Sequence, residues 1–225
     1  MGVKKNSASE SNYIHQKKMK REIKPQESIR AEAFELWMSS PMPMVTLTKT
    51  FDVSNIVKIS KRNGIKFNAL MCWCIIKGAS KVEHFYTIPK QGKLYRYDRL
   101  AINVIVNNRK GGINSCDIPF YENLTQFIEA YNNLTLQTTE NCKSSFLEDY
   151  VIVGTSAMIY TELDSIVNQY TDKFCNPMVM WGKYRKTWFK TTLPISFQFH
   201  HVQMDGGDAA RFLEYLQKEI HALRV

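Results

Sequence analysis

The hydrophobic positions of this chain switch repeatedly between a period near two and a period near four, which predicts strands and helices mixed along its length. Runs with strand character cover 44–51, 94–97, 100–106, 151–160, 178–186 and 191–200, with Asp98-Arg99 as a short turn. Helical spacing covers 28–37, where Ser28 caps and Arg30, Phe34 and Trp37 recur, and 53–62, closed by Asn63-Gly64. A third helix, 68–82, is apolar on nearly every face (Leu70, Met71, Trp73, Ile75, Ile76) and is expected at the centre of the core. Helices at 122–134 and 207–223 complete the pattern, the last with Phe212, Leu213, Leu216, Ile220 and Leu223 on one face, and 137–145 reads as a polar connection. No internal repeat appears. Strands and helices that mix without strict alternation predict an α/β two-layer sandwich with a mixed β-sheet.

The final strand–helix junction carries the candidate chemistry. Residues 193–199 alternate apolar and polar, and they run directly into His200-His201-Val202-Gln203-Met204-Asp205-Gly206 before the last helix begins. A turn between rigid elements is where catalytic groups are commonly held. If the alternation extends through His201, that imidazole shares a face with Ile195, Phe197 and Phe199, whereas His200 points the other way with Ser196 and Gln198. An apolar setting disfavours the imidazolium form, so His201 is expected to be neutral and able to accept a proton. The plainer reading is that an isolated histidine on an apolar face is a bonded core residue and Asp-Gly-Gly a turn whose aspartate bonds nearby backbone. The complete seven-residue pattern in its strand-to-helix position favours catalysis.

That pattern, with several blocks elsewhere, resembles the chloramphenicol acetyltransferase family from about Arg30 to Leu216. The blocks are Arg30-Ala31-Glu32-Ala33-Phe34-Glu35, Lys66-Phe67 at the head of a helix, Gly154-Thr155-Ser156-Ala157 in a strand, and Pro177 to Tyr184. The resemblance implies that family's fold, a homotrimer with active sites at subunit interfaces, and direct acetyl transfer from acetyl-CoA to a hydroxyl of chloramphenicol in a ternary complex, the reaction of antibiotic resistance. It implies His201 as general base, Ser156 as a donor to the oxyanion and a contact to the acceptor, and a buried Asp205–Arg30 ion pair supporting the turn. It also implies Trp37 at the acceptor pocket and Tyr184 at coenzyme A, with acetyl-CoA as co-substrate and no bound cofactor. Three departures concern the acceptor side: Met180 where the family often has a threonine, Trp37 where a tyrosine is common, and Gly207-Asp208 in place of Phe-His. Two alternatives therefore stand beside this reading: a same-fold acyltransferase with another alcohol or an amine as acceptor, and a non-catalytic binding or scaffold protein.

Composition narrows the remaining choices. The 225 residues are 44% hydrophobic and 12% aromatic, enough for one substantial core, expected over residues 28–225. The formal charge of +9 is unevenly spread, because residues 1–27 hold seven Lys/Arg against three Glu, giving +4 there and +5 in the rest. That segment reads as a poorly ordered basic tail, and its lysines lack the interleaved aromatics of a nucleic-acid module. Cys72, Cys74, Cys116, Cys142 and Cys175 show no paired metal-ligand spacing and read as reduced core residues, and His15, His84 and His221 are isolated from other ligand types, so no metal is expected. Neither a membrane span nor a signal peptide is legible, and a cytoplasmic enzyme is expected. Gly111-Gly112 and Gly206-Gly207 are isolated pairs rather than a phosphate-binding loop.

Overall fold

The computed structural model describes residues 20–171 and 173–225. Its framework is a mixed sheet in the order β2 (Met44–Asp52), β10 (Thr191–His200), β8 (Met178–Gly182), β7 (Val151–Met158), β5 (Leu100–Asn107) and β6 (Ile113–Pro119), with the short β9 (Arg185–Lys186) paired to β10. The strand β10 runs antiparallel to β2 and β8, β7 runs parallel to β5 and β8, and β5 and β6 form an antiparallel pair. The two-layer α/β sandwich expected from the pattern is thus the observed architecture. A smaller sheet joins β1 (Lys20–Ile23), β4 (Lys93–Tyr97) and β3 (Thr87–Lys90).

One face of the large sheet is covered by helices. The helix α3 (Phe67–Ser80) is buried on almost every side, as its composition predicts, and lies beside α5 (Gly206–Ala222) and α2 (Ser54–Asn63). Gly78 permits the close approach of α3 to α5, since a Cβ there would stand 3.2 Å from the Leu216 nitrogen. The helix-facing side of β10 is apolar and fully buried (Ile195, Phe197, Phe199), and Phe197 packs on Phe212 and Phe85 with ring centroids 4.6 and 5.7 Å away. The opposite side of β10 is polar. Ser196 Oγ lies 2.9 Å from Thr48 Oγ1 and accepts from the Ile166 N–H, while Gln198 Nε2 donates to Thr46 Oγ1 and the Asn168 carbonyl, which fastens the loop after β7 over this face.

Four expectations change. The basic tail expected over 1–27 ends earlier, because Lys20–Ile23 pairs in register with Leu94–Tyr97 and Lys20 Nζ sits 4.4 Å from the centre of the Tyr95 ring; residues 1–19 lie outside the described residues. A polar segment can join a sheet edge by backbone pairing alone, which a hydrophobicity pattern does not register. The first helix, α1 (Ala31–Trp37), starts later than residue 28, and the Ser28 hydroxyl accepts from the Arg30 N–H ahead of it. The helix expected at 122–134 is α4 (Leu124–Asn141), which absorbs part of the expected polar connection. Its extra turns carry buried Thr135 and Thr138, and Thr135 Oγ1 satisfies itself on the Tyr131 carbonyl. Cys142 is no core residue; it closes α4 with φ 52°, whereas Cys72, Cys74, Cys116 and Cys175 are buried. No described helix is long and apolar enough to cross a membrane.

Candidate active site

The strand β10 ends at His200, and the chain turns at once. His201 N–H donates to the Pro43 carbonyl at 2.8 Å, so the backbone at this point is held by the residue before β2. The residue pairing with β2 ends at His200, and the two imidazoles exchange the burial expected of them. His200 is fully buried, accepts from the Val202 N–H at Nδ1, and burial, reinforced by the neighbouring His201, pushes its pKa down to about 4. The His201 side chain keeps 30% of its surface exposed and lies flat against Trp37, ring centroids 4.8 Å apart and planes 3° from parallel.

Arg30 organises the turn from beneath. Its guanidinium makes a forked pair with Asp205, Nη1 to Oδ2 at 2.6 Å and Nη2 to Oδ1 at 2.9 Å, and also donates to the His201 carbonyl at 2.5 Å and, through Nε, to the Val202 carbonyl at 3.0 Å. This planar fork uses the donor geometry that distinguishes arginine from lysine. The guanidinium bonding to Asp205 holds that carboxyl below its ordinary range. Asp205 Oδ1 is 3.5 Å from His201 Nδ1, a buried atom with no hydrogen bond among the described residues. Nδ1 faces inward, so Nε2 is the nitrogen left to meet a substrate. The pair, expected to be buried, is so on one side only: the Arg30 side chain is 9% exposed and that of Asp205, at the open start of the last helix, is 54% exposed.

Ser156 lies elsewhere in the same chain. It pairs with Met180, which pairs with Ser196, so the three share a row on the helix-free face of the sheet. Strand spacing and rise put Ser156 about 10 Å across and about 17 Å along from His201, roughly 19 Å in all. One chain does not bring the proposed base and the proposed oxyanion donor together. Tyr184 is farther still: it follows β8, packs on Phe67 with centroids 5.3 Å apart, and lies under Lys186 Nζ at 5.6 Å, toward the end of β10 opposite His201. Met180, buried beside Ser156, offers an apolar thioether where the resembled family often has a donor. Trp37, expected on the acceptor wall, stacks on the imidazole ring and keeps part of its surface exposed. Sequence reasoning missed that stack and the role of Pro43, whose carbonyl stands one residue ahead of β2. Among the described residues no three His, Cys, Asp or Glu side chains converge as a metal site.

Comparison with known proteins decides the family. The chloramphenicol acetyltransferase family model matches residues 22–217. The chain belongs to that family. It is 22% identical over 195 residues to chloramphenicol acetyltransferase 2 of Escherichia coli, spanning 84% of this chain and 91% of that relative, and 24% identical over 202 residues to chloramphenicol acetyltransferase 3 of the same organism, spanning 84% and 92%. A solved chloramphenicol acetyltransferase structure superposes with a TM-score of 0.76 at 16% identity, covering 90% of this chain and all of that one, which establishes the shared fold. This family member is an acyltransferase that uses acetyl-CoA.

Proposed function

We propose that the protein transfers an acetyl group from acetyl-CoA directly to an acceptor hydroxyl, with chloramphenicol as an acceptor and resistance to that drug as the outcome. In this reading both substrates are bound together. His201 Nε2 removes the hydroxyl proton as the oxygen attacks the thioester carbonyl, and the tetrahedral oxyanion is met by the Ser156 hydroxyl. Collapse expels the coenzyme A thiolate, which takes the proton from the His201 imidazolium, so no acyl-enzyme forms. The observation that carries the proposal is the constraint on His201: its ring is stacked on Trp37, its carbonyl is bound by Arg30, and its N–H is bound by Pro43. A base held in this way needs little reorganisation when the acceptor arrives. Arg30 and Asp205 are positioning residues that fix the turn.

The separation of about 19 Å between Ser156 and His201 within one chain supports a site shared between subunits, in keeping with the homotrimer that the family resemblance implies. Apolar side chains left exposed along the helix-free side, among them Ile105, Ile113, Phe146, Val167 and Phe174, supply a surface for that association. Dependence on acetyl-CoA supports a cytoplasmic location. Tyr184, beside Phe67 and Lys186, is the proposed contact to coenzyme A. A second reading, the same chemistry on another alcohol or an amine, is favoured by Met180 next to Ser156 and by Gly207 after the catalytic turn. An acceptor screen with acetyl-CoA, followed by thiol release and beginning with chloramphenicol, tests the proposal. His201-dependent acetylation of chloramphenicol supports it. Thiol release with other acceptors and none with chloramphenicol transfers the assignment to the second reading.

A further inference from the structure

A cavity of about 300 Å³ opens on the helix-free face of the sheet, beneath the loop that follows β7. Its floor follows one row of paired residues across the sheet: Asp117, Asn103, Gly154, Met178 and Gln198. Ile152 and Phe146 add apolar wall, and Gly154 leaves the space that the Met178 thioether occupies.

Two polar groups in this cavity lack the partners their chemistry calls for. Gln198 is 2% exposed, and its amide orientation is fixed because Nε2 donates to the Asn168 carbonyl, which can only accept. Its Oε1 is buried and has no hydrogen-bond partner among the described residues. Asp117 is 3% exposed and accepts from Asn103 Nδ2 at 2.7 Å and from the Leu147 N–H at 2.9 Å. Both donors are neutral, and among the described residues no Lys, Arg or His lies within ion-pair distance of this carboxylate. Burial pushes its carboxyl above the usual range, as expected of a buried acid without a cation. A buried acceptor and a buried anion each call for a partner that the protein does not supply.

Both open positions accept hydrogen bonds, so the missing partner must donate them, and the one at Asp117 is satisfied best by a positive charge. We propose that this cavity is an acceptor subsite selective for an amino alcohol with an apolar body, whose ammonium pairs with Asp117 while a second donor meets Gln198 Oε1. The inference rests on the reading that the acceptor occupies the helix-free face, and it names the acceptor's chemical class. An amide at the same position carries no charge and leaves Asp117 unpaired, so chloramphenicol is expected to be the poorer acceptor of the two classes.

The test is isothermal titration of the full-length protein without acetyl-CoA, using para-nitrophenylserinol and its N-acetyl amide as probes. They share the aryl diol and differ in the ammonium. The free amine is expected to bind about tenfold or more tightly than the amide, and Asp117→Asn is expected to bring the two affinities together. An equal or reversed preference, a preference that persists in Asp117→Asn, or no binding of either probe overturns the inference. The wild-type comparison decides the matter even where Asp117→Asn fails to fold. Acetylation of chloramphenicol dependent on His201 is a separate readout: its absence defeats the proposed activity, whereas an equal affinity for the two probes defeats only the assignment of the cavity.

Discussion

Removing either partner of the Arg30–Asp205 pair should destabilise the fold, but by different routes. Arg30 is nearly buried and makes four hydrogen bonds, two to Asp205 and one each to the His201 and Val202 carbonyls. Asp205→Leu strands the guanidinium charge beneath the turn. Breaking a fully buried pair costs about 3–5 kcal/mol, and because Asp205 is 54% exposed on its side chain, solvent screening lowers the expected cost to about 2–3 kcal/mol. Arg30→Met leaves an aspartate that water can reach, yet it also frees two carbonyls, at about 1–3 kcal/mol for each one that stays buried and unsatisfied. The double variant lacks both charges but keeps the two orphaned carbonyls. It should therefore be less destabilised than the sum of the singles by about 1–3 kcal/mol, while remaining less stable than wild type. Urea denaturation of the four proteins, with equal slopes as the check on two-state behaviour, measures the coupling. Additive energies would refute the claim that the fork stabilises this turn as a charge pair.

Replacement of the two histidines should separate them: His201→Ala lowers turnover by about 10²–10⁴, while His200→Ala retains turnover in the folded fraction. Trp37→Ala removes the flat support of the imidazole and should lower kcat by about 10-fold to 100-fold while the KM for acetyl-CoA holds. His200 also predicts a pH dependence of stability. Its folded pKa of about 4 is below the ordinary 6.5, so the unfolded chain binds a proton that the native state refuses. Stability is then complete above pH 6.5 and falls by up to about 3 kcal/mol as pH drops toward 4. His200→Asn, which keeps an acceptor for the Val202 N–H, should flatten this slope in denaturation midpoints measured across the window; an unchanged slope contradicts the reasoning. The depressed Asp205 carboxyl contributes stability that is lost only at lower pH, as it falls through a folded pKa below 3.8.

Local pattern made the scaffold legible, and contacts distant in sequence were the part it left out. Period-two alternation located β10, and the nearly all-apolar composition of α3 placed it in the core, because both elements bury what their periodicity says they bury. The strand β6 escaped notice since Asn114, Ser115 and Asp117 make it read as polar, although its Cys116 and Ile118 enter the core; β3 escaped because Pro89 sits in its middle. The relative burial of His200 and His201 was misjudged, since period-two alternation does not report how the turn after β10 covers each ring. Arg30 and Asp205, 175 positions apart, came from family resemblance and meet as implied. The stack of Trp37 on His201 joins the end of α1 to the turn after β10, and periodicity within either element carries no trace of it.

The proposed active site is assembled from His201 of one chain and Ser156 of another. Each variant alone, His201→Ala or Ser156→Ala, should be nearly inactive, the serine variant by about 10²–10³. Mixing the two by co-refolding restores an intact pair wherever a Ser156→Ala chain presents its His201 to a His201→Ala chain, in about a quarter of the sites of a randomly assembled cyclic oligomer. Acetylation measured by thiol release should therefore rise to about that fraction of the wild-type rate. A mixture no more active than the mean of its two parents would contradict the shared site.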